Sequence, residues 1–391
     1  MSTIPTASIL DHLRTLVAAD SSDPVAQMSP SHPAIVHCVR TLEAAGCAVT
    51  LRDLGGGCVN LLAVRGDADA RHGTLFNCHL DTVKVNPNWT RDPFALSVER
   101  EGPDARAYGL GACDIKGAAA CLLGVAQATD EPMAVLFTTD EEGGRGTCVK
   151  AFLDAERSRW SRVIVAEPTG ARAVLQHRGF ASFEVSFSGT AGHTSAAHAA
   201  RGSAVHKAVA WMHGALALAE RGGVLGGSRF NIGIVQGGTA SNVVASEATV
   251  RFGFRPEPGL DAPERTAERV RALKALLPSD GSAVWTDRFI APPLTADSGM
   301  AACVASWGLD AGPDVDFWTE AALFAAGDNG NEGLPSVVLG PGNIAQAHAA
   351  DEFVMVTQLE ACAVAYASVV RAEGASSIRG TVSVGGESHA S

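Results

Sequence analysis

Short apolar runs alternate with helical patterns through the first part of the chain, and this alternation is the feature that most restricts the fold. Helical spacing of apolar residues lies at about 115–128 and 145–155. Strand-like apolar runs lie at 59–64, 74–78, 133–139 and 162–166. Apolar strands that alternate with helices favour a mostly parallel sheet covered on both faces. The first part of the chain therefore predicts an α/β domain.

The pattern changes after about residue 172. FASFEVSFSG alternates apolar and polar residues with period two. Two strand candidates follow at 229–236 and 247–256, and helical patterns lie at 203–218 and 263–276. From about residue 290 the first style returns, with the strand SVVLG between a helix near 319–326 and a final helix from about 354. We expect an α/β domain formed by 1–172 and 290–391, interrupted by an inserted α+β domain at 173–289.

Charge and composition limit the possible partners. The 42 acidic residues exceed the 30 basic ones, which gives a net charge of -12 and argues against nucleic acid or anionic membrane as a partner. The N-terminus lacks the pattern of a signal peptide, and no apolar run approaches the roughly 20 residues that span a bilayer. The nine cysteines are scattered without a CxxC pair, which suits a reducing cytoplasm. We expect a cytoplasmic protein that binds a small molecule or a cation.

Acidic and imidazole side chains follow the predicted strands where each one ends, and one further carboxylate, that of Asp114, lies where a loop enters a predicted helix. Each could separately be a turn residue, a helix cap or a structural histidine. Because the carboxyl ends of parallel strands meet at one edge of a sheet, the group is expected to converge. Unpaired carboxylates would repel one another there, and a pair of divalent cations would relieve the repulsion. Histidine with carboxylate suits zinc or cobalt better than magnesium or calcium. The residues are His79, Asp81, Asp114, Asp140, Glu141, Glu142, Glu167 and His348.

Seven motifs, in order along nearly the whole chain, carry a family resemblance. They are CHLDTV (78–83), GLGACDIKGAAA (109–120), TTDEEGG (138–144), VAEPT (165–169), FSGTAGHTS (187–195), FRP (254–256) and GPGNIAQAHAADEF (340–353). The chain resembles the co-catalytic dizinc amidohydrolases, which include N-acetylornithine deacetylase, succinyl-diaminopimelate desuccinylase, aminoacylase and related carboxypeptidases. RFNIGIVQGG, RFGFRP, DFWTEA and GNIAQAHAADEFV are most similar to the acetylornithine and acetylcitrulline deacetylases of arginine biosynthesis.

The resemblance implies a site for two metal ions, Zn²⁺ or Co²⁺. Asp114 would bridge the two ions. Glu142 and His348 would hold one ion, and His79 and Glu167 would hold the other.

The resemblance also assigns roles to residues beside the ligands. Asp81 would orient the ring of His79 and raise its basicity. Glu141 would stay uncoordinated, take a proton from the metal-bridging water and pass it to the departing amine. Asp140 is expected to satisfy local backbone rather than to act in catalysis. Neighbouring residues of one triplet thus receive different tasks.

The resemblance further implies that the inserted domain serves as a lid and as the interface of a homodimer. There His193 would stabilise the tetrahedral oxyanion in the partner subunit. Arg255 would clamp the α-carboxylate of the substrate, and Asn242 is a further candidate contact. Glu320, outside this domain, is a candidate for a contact with the substrate or with the ligands.

These assignments predict a metal-dependent deacetylase of an N-acetyl amino acid, N-acetylornithine or N-acetylcitrulline, in arginine biosynthesis. Its partners would be the small N-acyl amino acid and a second copy of the chain, without nucleic acid or membrane. A succinyl-diaminopimelate desuccinylase, a dipeptidase or a carboxypeptidase would share every ligand, so these alternatives stay open. A non-enzymatic relative would lack a ligand or the base, and none is missing from this sequence.

Overall fold

The computed structural model describes residues 4–23, 28–66, 73–144, 146–197, 199–220, 222–326 and 333–382. The chain forms two compact units. The first contains the described residues up to Leu175, together with Asp297–Asp314 and those from Thr319 onward, and the second contains Gln176–Ala296 and Val315–Trp318. The second unit therefore contains 290–296 and Val315–Trp318, which the predicted boundaries place in the first unit, and it lacks 173–175, which they place in the second. The catalytic and dimerisation roles of the two units remain predictions.

The described strands and helices are numbered in chain order. The strands are β1 (Ala48–Gly55), β2 (Cys58–Arg65), β3 (Gly73–His79), β4 (Ser97–Glu99), β5 (Arg106–Tyr108), β6 (Met133–Thr138), β7 (Trp160–Val165), β8 (Phe180–Ser188), β9 (Gly192–His193), β10 (Asn231–Gly237), β11 (Val243–Val244), β12 (Glu247–Phe254), β13 (Ala283–Ala291), β14 (Ser336–Val338) and β15 (Phe353–Met355). The helices are α1 (Thr6–Ala18), α2 (Pro33–Ala44), α3 (Lys116–Ala128), α4 (Thr147–Glu156), α5 (Ala199–Gly202), α6 (Ala204–Ala219), α7 (Ala262–Lys274), α8 (Ser298–Ser306), α9 (Ala321–Ala326) and α10 (Val356–Val382). Single 3₁₀ turns lie at Gly102–Asp104 and Arg157–Arg159.

The first unit is built on a six-stranded mixed sheet in the order β1-β2-β6-β3-β7-β14. Strands β6, β3, β7 and β14 are parallel neighbours, whereas β1 and β2 add an antiparallel edge. Every residue of β6 is buried, as expected for a strand inside a covered sheet. The predicted α/β fold is therefore confirmed, with an antiparallel edge added to its parallel strands.

Helix α3 occupies the core of the first unit. Its sequence, KGAAACLLGVAQA, is apolar almost all round, which is typical of a helix surrounded by protein, and its alanines and leucines favour helix. Helices α1, α2 and α10 all pack against α3. Helix α3 begins two residues after Asp114 and so fixes where that residue leaves the loop. Among the helices in the described ranges, none combines the length and apolarity needed to cross a bilayer.

The second unit is a four-stranded antiparallel sheet in the order β10-β12-β8-β13, with α6 and α7 packed on one face. Alternate side chains of a strand point to opposite faces of its sheet, so the buried apolar residues of β8 face the helices and its polar residues lie on the other face. The indole of Trp211 in α6 lies in this core and donates a hydrogen bond to the carbonyl of Leu273 in α7. The buried side chains of β8 are Ala181, Phe183, Val185 and Phe187.

Burial of His177 in the second unit predicts a pH-dependent stability. The imidazole is fully buried, and burial lowers its pKa to about 4. Its ordinary pKa is about 6.5, so between these values the unfolded chain binds a proton that the folded chain does not. Stability from this residue is therefore present above pH 6.5 and is lost as the pH falls. The free energy of unfolding should drop by about 2 kcal/mol between pH 7 and pH 5.

Urea unfolding at the two pH values measures this loss. His177→Gln carries no titrating ring, so its own pH 7 to pH 5 difference should be smaller than the wild-type difference by that amount. Comparing the pH difference within each protein removes any constant cost of the substitution. Equal differences in the two proteins would contradict the prediction.

Candidate metal centre

Two of the predicted ligands leave the sheet of the first unit on neighbouring parallel strands. His79 is the last residue of β3, and Glu167 follows the end of β7. Nε2 of His79 lies 3.7 Å from Oε1 of Glu167 and 3.3 Å from Oδ1 of Asp114. All three side chains are buried, and their atoms lie close enough to one another to hold one metal ion.

A second group of three side chains shares Asp114 with the first. Nε2 of His348 lies 3.0 Å from Oε1 of Glu142 and 3.3 Å from Oδ2 of Asp114. One oxygen of Asp114 thus faces each histidine, which is the arrangement of a bridging carboxylate. The backbone of His348 has a φ of 58°, an uncommon conformation that points its side chain toward this group.

Unsatisfied atoms in the first group fit a bound cation. Nε2 of His79 and Oδ1 of Asp114 are buried and make no hydrogen bond to the described residues. Buried polar atoms are rarely left in this state, because the lost hydration is costly. A divalent cation between the imidazole and the carboxylate would satisfy both atoms. Nitrogen and carboxylate donors together suit Zn²⁺.

The electrostatics of the two groups favour the same conclusion. Burial raises the pKa of Glu167 well above its ordinary value, and the carboxylate of Asp114 raises it further. Burial also raises the pKa of Glu142. Ion pairing with Asp114 and Glu142 raises the pKa of His348 to about 11. The cluster therefore holds protons that a cation would displace, so metal binding here is expected to release protons.

The structure gives Asp81 a contact that the sequence did not predict. The expected partner of His79 is the carboxylate of Asp81, but that oxygen is 3.6 Å from Nδ1, whereas the backbone carbonyl of Asp81 is 2.9 Å away. The carboxylate instead accepts hydrogen bonds from the backbone N–H groups of Glu141, at 3.3 Å, and Glu142, at 3.0 Å. Asp81 therefore orients the ring through its carbonyl and fixes the Glu141–Glu142 turn through its side chain.

The three acids of the DEE triplet point to different surroundings. Asp140 is fully buried and accepts hydrogen bonds from Thr147 N at 2.7 Å and Cys148 N at 3.3 Å, at the start of α4. It satisfies local backbone, as predicted. Cys58 and Cys148 lie close enough to Asp140 for the three side chains to hold a metal ion. The oxygens of Asp140, however, already accept hydrogen bonds from Thr147 N, Cys148 N and the thiol of Cys58. Glu142 faces His348, and Glu141 belongs to neither of the two ligand groups that contain Asp114.

Glu320 lies behind these residues in the first unit. Its side chain is 1 % exposed, and Thr138 at the end of β6 donates a hydrogen bond to Oε2 at 3.2 Å. Burial raises its pKa to about 8, and the carboxylate of Asp140 adds to the shift. This surrounding favours a supporting role beneath the site over a direct contact with substrate.

His193 and Asn242 come together in the second unit. Strand β9 pairs with β11, which places His193 opposite Val243 and the carbonyl of Asn242 within 3.3 Å of Thr194 N. The backbone N–H of Ser195 donates to Nδ1 of His193 at 3.2 Å. Oγ of the same Ser195 lies 2.8 Å from Nδ1. Ser195 therefore engages Nδ1, and the other ring nitrogen, Nε2, belongs to an exposed side chain.

Arg255 directly follows β12 in the second unit. Its guanidinium is half-buried and lies 4.2 Å from the centre of the Phe180 ring. Burial lowers its pKa, and among the described residues it takes part in no ion pair. Nearby Arg269, in contrast, pairs with Glu257 at 2.6 Å. A half-buried cation without an acidic partner is suited to bind an anionic group.

Comparison with known proteins places these residues in context. The sequence pattern of Peptidase family M20/M25/M40 matches residues 75–372. The chain is 42% identical, over 90% of its length and 95% of the relative, to an N-acetyl-L-citrulline deacetylase of Xanthomonas campestris pv. campestris. It is 32% identical, over 92% of its length and 95% of the relative, to an acetylornithine deacetylase of Myxococcus xanthus.

Solved structures support the fold. A tripeptidase from Staphylococcus aureus superposes with a TM-score of 0.74 over 95% of this chain and 99% of its own. The two sequences are 19% identical, so this likeness concerns the architecture alone.

Proposed function

Because the chain belongs to Peptidase family M20/M25/M40, we propose that it removes the acetyl group from N-acetylcitrulline or N-acetylornithine in arginine biosynthesis. It is a metal-dependent amide hydrolase. The substrate proposal depends on one observation, the 42% identity to an N-acetyl-L-citrulline deacetylase over 90% of the chain. All nine cysteines are reduced thiols, which fits our proposal of a cytoplasmic location.

We propose two divalent cations, Zn²⁺ or Co²⁺, in the two groups that share Asp114. Glu142 and His348 would complete one site, and His79 and Glu167 would complete the other. When bound, the ions polarise the acyl carbonyl and lower the pKa of a water molecule. The arrangement of donors, and the unsatisfied atoms of His79 and Asp114, support this assignment.

The side chains around the ligands would then move the protons and hold the substrate. Glu141 accepts a proton from the attacking water and delivers it to the amine nitrogen as the C–N bond breaks, which yields acetate and the free amino acid. Asp81 holds the backbone of Glu141 in place. Arg255 binds the α-carboxylate, and Nε2–H of His193 donates to the oxyanion. Asn242 lies beside the His193 loop and is proposed to contact the substrate there.

We further propose a homodimer that forms through the second unit. Strand β10 is an edge strand, so its outer backbone groups are available for pairing. Its side chains Ile234 and Val235 are 44% and 54% exposed, and Val209 and Leu216 of α6 are 52% and 54% exposed. Exposed apolar side chains of this kind favour burial against a second copy.

A substrate panel tests the proposed function. Metal-stripped protein reloaded with Zn²⁺ or Co²⁺ would be assayed on N-acetylcitrulline, N-acetylornithine, N-succinyl-diaminopimelate and dipeptides. We expect kcat/KM for an N-acetyl amino acid to exceed that for the other classes by about 10²-fold. The methyl ester of the best substrate should react poorly, because the ester removes the charge that Arg255 would bind. Without metal, turnover should disappear.

The other outcomes favour other functions. Preference for dipeptides would support a peptidase, and preference for the succinyl substrate would support a desuccinylase. Equal rates on the free acid and its methyl ester would rule out the proposed Arg255 contact. No turnover of any amide by metal-loaded protein would overturn the hydrolase assignment itself.

A further inference from the structure

A buried carboxylate outside the predicted ligand set lies against the loop that carries Asp114. Glu352 is 1 % exposed. Its Oε1 accepts hydrogen bonds from Cys113 N at 2.8 Å and Asp114 N at 3.0 Å, and its Oε2 accepts one from Gly111 N at 3.1 Å. Three backbone N–H groups of one loop therefore converge on a single carboxylate.

The shape of this loop depends on Gly111. Its φ is 79°, a left-handed conformation that glycine adopts without steric cost, and an added Cβ would lie 2.7 Å from Thr82. The turn directs the N–H groups of Gly111, Cys113 and Asp114 to its inner side, where they form an anion-binding concavity. In other proteins such a concavity often holds a bound anion, and here the side chain of Glu352 occupies it.

The same residue belongs to the segment that carries His348. Strand β15 pairs with β5 so that Phe353 lies opposite Tyr108, and the carbonyl of Glu352 accepts a hydrogen bond from Gly109 N at 3.1 Å. The Asp114 loop and the His348 loop therefore adjoin the same pair of strands. Glu352 links them through both its backbone and its side chain.

We infer that Glu352 is a positioning residue that sets the separation of Asp114 and His348 and so prepares the shared carboxylate for metal. This inference rests on the proposed metal site. Oδ2 of Asp114 lies 3.3 Å from Nε2 of His348, although the two residues are far apart in the sequence. The backbone of Asp114 is fixed by the carboxylate of Glu352, and loss of that bond would leave the loop free to shift. Groups that hold metal ligands in place commonly change metal affinity by 10- to 100-fold when removed.

Metal titration of chelator-stripped protein tests this role. Glu352→Gln replaces one acceptor oxygen by a donor, which would face a backbone N–H, so we expect the dissociation constants for Co²⁺ and Zn²⁺ to rise by about 10- to 100-fold. Glu352→Asp keeps the charge but withdraws it by one methylene, and its affinity should fall between those of the wild type and the Gln variant.

A matched control separates positioning from general stability. Leu42→Ala removes a fully buried side chain in α2 and should lower the melting temperature while leaving metal affinity at the wild-type value. Wild-type affinity in folded Glu352→Gln, or in folded Glu352→Asp if the Gln variant does not fold, would overturn the inference. Failure of the wild type to bind metal in the same titration would instead overturn the proposed metal site.

Discussion

Glu141→Gln should retain both metal ions and the native fold while losing turnover by about 10²-fold or more. Glu141 belongs to neither ligand group that contains Asp114, and the substituted amide has nearly the same shape but cannot accept the proton of the attacking water. The carboxylate of Asp81 holds the backbone of this residue, so the amide should sit where the acid did. Metal content by elemental analysis and kcat on the best substrate are the two measurements.

The adjacent glutamate supplies the matched control. Glu142→Gln changes a side chain that lies 3.0 Å from His348, so it should lose metal, and its activity should recover in part with excess metal. The two variants carry the same chemical change at adjacent positions. A metal-depleted Glu141→Gln with a fully loaded Glu142→Gln would reverse the assignment of base and ligand.

The convergence of His79 and Glu167 followed from the sequence because it follows from the sheet. His79 ends β3 and Glu167 follows β7, and these strands are parallel neighbours. Parallel strands bring their carboxyl ends to one edge, so residues that come directly after apolar runs converge without any knowledge of distant contacts. The period-two pattern of β8 likewise predicted a half-buried antiparallel strand.

Other features depend on contacts that no local pattern encodes. The carboxylates of Asp81 and Glu352 both accept hydrogen bonds from backbone N–H groups of loops distant in the sequence. The sequence alone does not distinguish such an acid from any other acid near the end of a strand. Strands β1 and β13 were also missed. Both are edge strands whose residues are mostly exposed, so neither shows the apolar alternation that marks a half-buried strand.

His193→Ala should lower kcat by about 10²-fold, or about 3 kcal/mol, because the ring would donate a hydrogen bond to charge that develops only in the transition state. The local geometry suits a donor, since Ser195 engages Nδ1 and the exposed ring can present Nε2 to a substrate. A structural alternative is that His193 caps the loop before α6. Ser203, however, is the N-cap of α6, and its hydroxyl accepts from His206 N. The substitution should therefore change the melting temperature little.

If His193 acts on the site of the other subunit, two inactive variants should restore each other. In a mixed dimer of Glu141→Gln and His193→Ala, the site that contains the altered base also receives the altered histidine, and the second site receives neither change. Each mixed dimer should then regain about half of the wild-type activity, because one site of the two is intact. If His193 served its own subunit, every site in the mixed dimer would carry one defect. Proven subunit exchange without recovery would show that the histidine does not act across the interface.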